Sequence, residues 1–117
     1  MPRPASVPRA QVRRVLEEGT RLWGERITVY VARGTGVTRV TFVCGRSVGG
    51  AVARNRARRL LREAWREAGG AAPPGADVVV VARPSIRGAK SGEVARDLAR
   101  ALSGQGGRRQ GWGDRGP

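Results

Sequence analysis

The chain has 117 residues, enough for one compact domain with a single core. Its 23 basic residues, 22 of them arginine, stand against nine acidic ones, so the net charge is +14 with no histidine to titrate. That excess is larger than solubility requires and points to a polyanionic partner, nucleic acid ahead of an anionic membrane surface, while the lone Cys44 excludes an intramolecular disulfide and a multi-cysteine zinc site.

Residues 1–7 are proline-rich and are expected to form a flexible arm. No apolar run reaches signal-peptide or membrane-span length, which predicts a cytoplasmic protein. From Pro8 to Glu18, Val12, Val15 and Leu16 recur at helical spacing, with Ser6 as a candidate cap and Gly19 as a stop. Residues 26–33, RITVYVAR, alternate as a β-strand does, and a turn at Gly34 to Gly36 leads to a second alternating run from Thr38 to Arg46. The short link predicts an antiparallel hairpin. Gly34 and Gly36 lack the third glycine of a dinucleotide fingerprint.

Gly45, Gly49 and Gly50 lead into the stretch from Val48 to Ala68, and suit either a tight strand-to-helix turn or the close approach of an anion to a helix start. On a helical wheel, Arg54, Arg58, Arg59, Arg62 and Arg66 share one arc with Asn55, while Ala57, Leu60, Leu61, Ala64 and Ala68 fill another. Trp65, at the border of the two arcs, suits core packing better than base stacking. Seven arginines against two glutamates between Cys44 and Ala68 leave a local charge of +5. An ordinary solvated helix mixes charge signs by i,i+4 pairing, so this face reads as one that binds phosphates.

Residues 69–76 form a loop, and residues 77–83, DVVVVAR, have no polar alternation, which predicts a central strand buried on both faces. Residues 91–102 read as a last helix with Ser91 as cap and Glu93 in its first turn. The remaining residues, 103–117, contain six glycines and are expected to be a disordered Gly/Arg-rich tail. The domain is therefore 8–102, a single compact α+β domain with a small central β-sheet and packed helices, in the order helix, strand, strand, helix, strand, helix. Ser47 and Cys44 lack a histidine partner, and the carboxylates are scattered, so no protein side chain is assigned a catalytic or metal-binding role.

The run from Gly45 to Trp65, with Arg54-Asn55-Arg56 followed by Arg58, Arg59 and Arg62, resembles the signature helix of the bacterial ribonuclease P protein component. The likeness extends from about Ala10 to Leu102 and is supported by Val15-Leu16 and Gly19-Thr20 at the end of the first helix, Tyr30, and the strand Val78 to Pro84. The resemblance implies a ribosomal-protein-like fold with a left-handed strand-helix-strand crossover. It also implies an assembly in which a large RNA with bound magnesium removes the 5′ leader of precursor tRNA, the protein itself binding no cofactor. Arg46, Arg54, Asn55, Arg56, Arg58, Arg59 and Arg62 would face that RNA subunit. Val12, Leu16, Tyr30 and Phe42 would line a cleft for the leader, with aliphatic side chains at Val12 and Leu16 where the family commonly carries rings. Ser47 stands where the family usually has a basic residue, and Gly50 where it has asparagine. The alternative is a structural or ribosome-associated RNA-binding protein without a cleavage role.

Overall fold

A run of seven residues with no polar alternation belongs inside a sheet, and that is where the chain places it. The computed structural model describes residues 4–34 and 36–104, and the backbone of residues 107–110. In chain order the elements are α1 (Arg9–Glu18), β1 (Thr20–Trp23), β2 (Ile27–Arg33), β3 (Arg39–Val43), α2 (Ala51–Ala68), β4 (Ala76–Ala82), α3 (Ser91–Leu102) and β5 (Gly107–Gln110). Short 3₁₀ turns at Arg46–Val48, Gly69–Ala71 and Pro84–Ile86 join them. The sheet order is β3-β4-β2-β1-β5.

The expected hairpin between the second and third strands is not formed. β4 lies between them, antiparallel to β2 and parallel to β3, with Val29 opposite Val80 and Phe42 opposite Val80. The physical reason is burial: β4 is apolar on both faces and gains most from having a neighbour on each side, whereas β2 and β3 each carry polar residues. The link after β2 therefore crosses two strand spacings, about 10 Å, which five residues span without strain. Gly34 makes the crossing possible, because a Cβ there would run into the Gly75 carbonyl and the Asp77 carboxylate. β3, α2 and β4 form a strand-helix-strand crossover between parallel neighbours.

Alternation along the strands separates two faces. Ile27, Val29, Val78 and Val80 point to the face covered by α2 and α3, where they meet Leu61, Ala64, Val94 and Leu98 in the main core. Trp65 packs against this core, and a Cβ on Gly69 would clash with its ring. On the opposite face α1 buries Val15 against Val79 and Val7, with Val12, Leu16, Tyr30, Ala32, Val43 and Val81 half-buried around them.

Four local expectations change. The N-terminal arm, expected to be flexible, is tied down from Ala5 to Val7: the Val40 N–H donates to the Ala5 carbonyl at 2.8 Å, and the Val7 N–H donates to Thr41 Oγ1 at 3.0 Å. An edge strand carries unpaired backbone groups, and the arm satisfies one of those of β3, the Val40 N–H. Ser6 does not cap α1, whose cap position is Pro8. At α3 the cap position is Lys90 and Ser91 is the first helical residue; the Glu93 carboxylate accepts the Lys90 N–H at 2.9 Å. β1 was not anticipated, being only four residues with arginine and tryptophan in it. Within the tail expected to be disordered, the backbone of Gly107–Gln110 pairs antiparallel with β1, and residues 105, 106 and 111–117 lie outside the described residues.

Candidate nucleic-acid interface

The apolar arc of α2 fixes which side chains face outward. Ala57, Leu60, Leu61 and Ala64 are buried, and this locks the rotation of the helix so that Asn55, Arg56, Arg59, Arg62 and Arg66 are exposed. Arg54 and Arg58 are half-buried at the margins of that face. Arg58 donates to Asn55 Oδ1 at 2.9 Å, and Arg56 donates to the Ala89 carbonyl at 3.0 Å, bracing α2 against the segment before α3. The Arg54 Nε is buried without a hydrogen-bond partner among the described residues. Arg46, in the turn after β3, is exposed.

Six arginines that make no ion pair among the described residues are gathered on this one helix. Among the described residues, ion pairs are made by Arg13, Arg14, Arg26 and Arg39. None is made by Arg46, Arg54, Arg56, Arg58, Arg59, Arg62 or Arg66, so their positive charge is left uncompensated by protein carboxylates. Glu63 and Glu67, on the same helix, form no ion pair there either. Guanidinium groups held on a rigid helix, with free planar forks, match the geometry of phosphate oxygens.

At the start of α2, Gly50 occupies the cap position and contributes no side-chain hydrogen bond. Gly49 before it adopts φ +142°, a conformation that L side chains rarely reach, and a Cβ there would also meet the Cβ of Ala53. Gly49 thus serves the tight strand-to-helix turn. Burial pushes the thiol of Cys44, at the end of β3, above its ordinary range, while the nearby positive charge of Arg58 acts in the other direction. A buried thiol held protonated in this way is a core residue.

The second surface is the open side of the sheet. Val12 and Leu16 on α1 and Tyr30 on β2 are brought together there, all half-buried. Phe42 is not part of this group. It belongs to the opposite parity of β3, with Val40 and Cys44, and packs against the main core under α2 and α3. The alternation of β3 was legible in the sequence, but with the wrong neighbour assigned to it, the face could not be.

Sequence reasoning also missed two features of this surface. Asp77, fully buried at the start of β4, accepts hydrogen bonds from Arg39 Nε and Nη2, both at 2.7 Å, and from Arg14 Nη2 at 2.8 Å. Arg39 also donates to Gln11 Oε1 at 3.0 Å, so one carboxylate ties α1, β3 and β4 together along the edge of the cleft. The hydrogen bonds from Arg39 are the main reason the Asp77 carboxyl is held below its ordinary range, with the charge of both arginines acting in the same sense against the cost of burial. The Asp-first pattern of DVVVVAR was the available signal. The other feature is Arg21 and Trp23, carried onto this face by the unanticipated β1. Their signal, four residues long, is too short to separate from a loop.

Among the described residues no three His, Cys, Asp or Glu side chains are gathered as metal ligands, and no helix is long and apolar enough to cross a membrane. Neither surface offers a nucleophile paired with a base. What they carry is, on one side, arginines that make no ion pair among the described residues and, on the other, half-buried apolar side chains with an aromatic ring.

The family model described as Ribonuclease P matches residues 7–105. A ribonuclease P protein component from a Nocardioides species is 38% identical over 97 residues, covering 80% of this chain and 83% of that one. The ribonuclease P protein component of Streptomyces avermitilis is 45% identical over 65 residues, 56% of this chain and 53% of that one, so this alignment spans about half the relative's length. In three dimensions the chain is similar to the ribonuclease P protein of Thermotoga maritima, with a TM-score of 0.75 and 26% identity over 90% of this chain and all of that one. With the family model spanning most of the chain and the same α+β architecture in a solved relative, the chain belongs to the ribonuclease P protein family.

Proposed function

We propose that the chain is the protein subunit of a ribonuclease P. It binds the RNA subunit through the arginine face of α2 and holds the 5′ leader of precursor tRNA in the cleft between α1 and the sheet. The family implies a subunit of an endoribonuclease. In this reading the RNA carries the hydrolytic chemistry, with magnesium bound through it, and the protein contributes affinity and orientation. The observation that carries the reading is the row of arginines on α2 that no carboxylate among the described residues neutralises, on a helix whose rotation the core fixes. Phosphates supply the missing counter-charge, and release of their condensed ions makes the affinity fall steeply with salt.

Arg59 and Arg62 are the most direct phosphate contacts, being exposed and without hydrogen bonds to the protein among the described residues. Asn55 and Arg58 act as a hydrogen-bonded pair. The cleft residues Val12, Leu16 and Tyr30 form the wall against which unpaired leader nucleotides lie, with Tyr30 as the ring on which a base can stack.

The test is cleavage of a precursor tRNA by a bacterial ribonuclease P RNA at low magnesium, with and without the chain, using leaderless tRNA as competitor. Protein-dependent stimulation with preferential binding of the leader-bearing substrate is expected. Tight RNA binding without stimulation would refute the assignment and favour a structural RNA-binding role.

A further inference from the structure

Four of the five aromatic side chains fall within the described residues, and two of these, Phe42 and Trp65, pack against the main core. Tyr30 and Trp23 are left for the open face. Trp23 is half-buried. The β1–β2 register sets Arg21 opposite Tyr30 and Trp23 opposite Thr28. Alternate residues of a strand share a face, so Arg21, Trp23 and Tyr30 stand together on the side of the sheet that carries α1. The guanidinium carbon of Arg21 lies 4.8 Å from the centroid of the Trp23 ring.

The register continues across the sheet. Thr28 pairs with Val81, and Val81 with Val43, so a row from Trp23 to Val43 crosses three strand spacings, about 14 Å. It ends beside the exposed turn that carries Arg46. This row extends the cleft of Val12, Leu16 and Tyr30 towards β1 with an aromatic ring at its far end.

We propose that Arg21 and Trp23 form a stacking subsite for one unpaired base of single-stranded RNA, the occupant being a nucleotide of the leader. The inference rests on the reading of the α1-side cleft as the leader's path. Charge complementarity argues for this occupant. Arg21 makes no ion pair among the described residues, and its Nε is buried with no hydrogen-bond partner there. Its guanidinium carbon lies over the Trp23 ring instead. A planar cation on an aromatic ring presents a flat surface to a base and a positive charge to the adjoining phosphate. Every base has a π-face, so the subsite tolerates any leader sequence and adds affinity rather than base readout.

The experiment measures binding of leader-bearing precursor tRNA and of mature tRNA to the complex of full chain and ribonuclease P RNA. Trp23→Ala is expected to weaken precursor binding about tenfold while leaving mature-tRNA binding within about twofold. Trp23→Leu, which keeps apolar bulk on β1 without a ring, gives the same loss, and Trp23→Phe recovers most of it. Arg21→Gln lowers the salt slope for the precursor by about 0.7, the value of one single-stranded phosphate contact. Wild-type discrimination retained by folded Trp23→Leu would overturn the subsite and leave the leader reading standing. Equal weakening of precursor and mature tRNA would assign Trp23 a structural role and also overturn it. A wild-type complex that does not discriminate between precursor and mature tRNA would overturn both.

Discussion

Removing two positive charges from α2 should act on RNA-subunit binding through the number of phosphates neutralised, and the structure decides which two to remove. Arg58 is half-buried and donates to Asn55, so its loss would disturb the protein as well as the interface. Arg59 and Arg62 are exposed, and alanine is the best helix former, so Arg59→Ala/Arg62→Ala should change folding stability by less than about 0.5 kcal/mol. Each phosphate contact on duplex RNA is taken to contribute a slope of about 0.9 in log K against log salt, the duplex-DNA value. Loss of two therefore flattens the slope by about 1.8. The assay is equilibrium binding to ribonuclease P RNA from 50 to 200 mM salt, a range over which each contact is worth about 3.5-fold. The control is Arg96→Ala/Arg100→Ala, two exposed arginines on α3, which removes the same net charge from another element. If the α3 pair flattens the slope as much as the α2 pair, binding follows overall charge, and the reasoning about a dedicated face is refuted.

Asp77→Asn leaves Arg14 and Arg39 facing a neutral group at a fully buried position. Because the two arginines keep some solvent contact, with side-chain exposures of 36% and 17%, the cost should be about 3 kcal/mol, at the low end for a broken buried pair. Urea denaturation at pH 7 measures it, and a loss below about 1 kcal/mol would show that apolar contacts alone hold α1. The carboxyl of Asp77 is depressed below its ordinary 3.8 in the folded chain. The unfolded chain therefore takes up its proton first as pH falls, and the stabilisation is complete well above 3.8 and disappears as pH drops through the folded value. The stability gap between wild type and Asp77→Asn should accordingly narrow as pH falls below the unfolded carboxyl's range, as the same denaturation repeated down to pH 3 would show; a constant gap would contradict the assignment. Leu16→Phe, at a half-buried cleft position, should tighten leader-dependent precursor binding severalfold by adding a stacking surface, and unchanged discrimination in a folded variant would mean that Leu16 does not face the leader.

The interface helix was legible because its information is local. The spacing of Ala57, Leu60, Leu61 and Ala64 sets a rotation about one axis, and the same count places Arg59 and Arg62 outside; no tertiary partner is needed to establish this. β4 was likewise readable as an interior strand, since Asp77 to Ala82 offers no polar side to solvent. The resemblance from Gly45 to Trp65 rested on the same local run and named the family that the comparisons show.

What failed was pairing, which depends on residues far apart in the chain. Phe42 was placed in the cleft by the resemblance; its register opposite Val80 puts it on the core side instead. The buried Asp77 cluster joins residues up to 63 positions apart, and neither arginine announces a partner at that distance. β1 is too short to carry a periodic signal, yet it brings Arg21 and Trp23 to the face of Tyr30.

The sequence by itself thus determined the charge, the amphipathic helix and the α+β character, because composition and helical spacing are properties of contiguous residues. Tertiary structure alone decided strand order, the membership of the cleft and the company of each buried charge. Those follow from which hydrogen-bonding edges and apolar faces meet when all segments compete for one core.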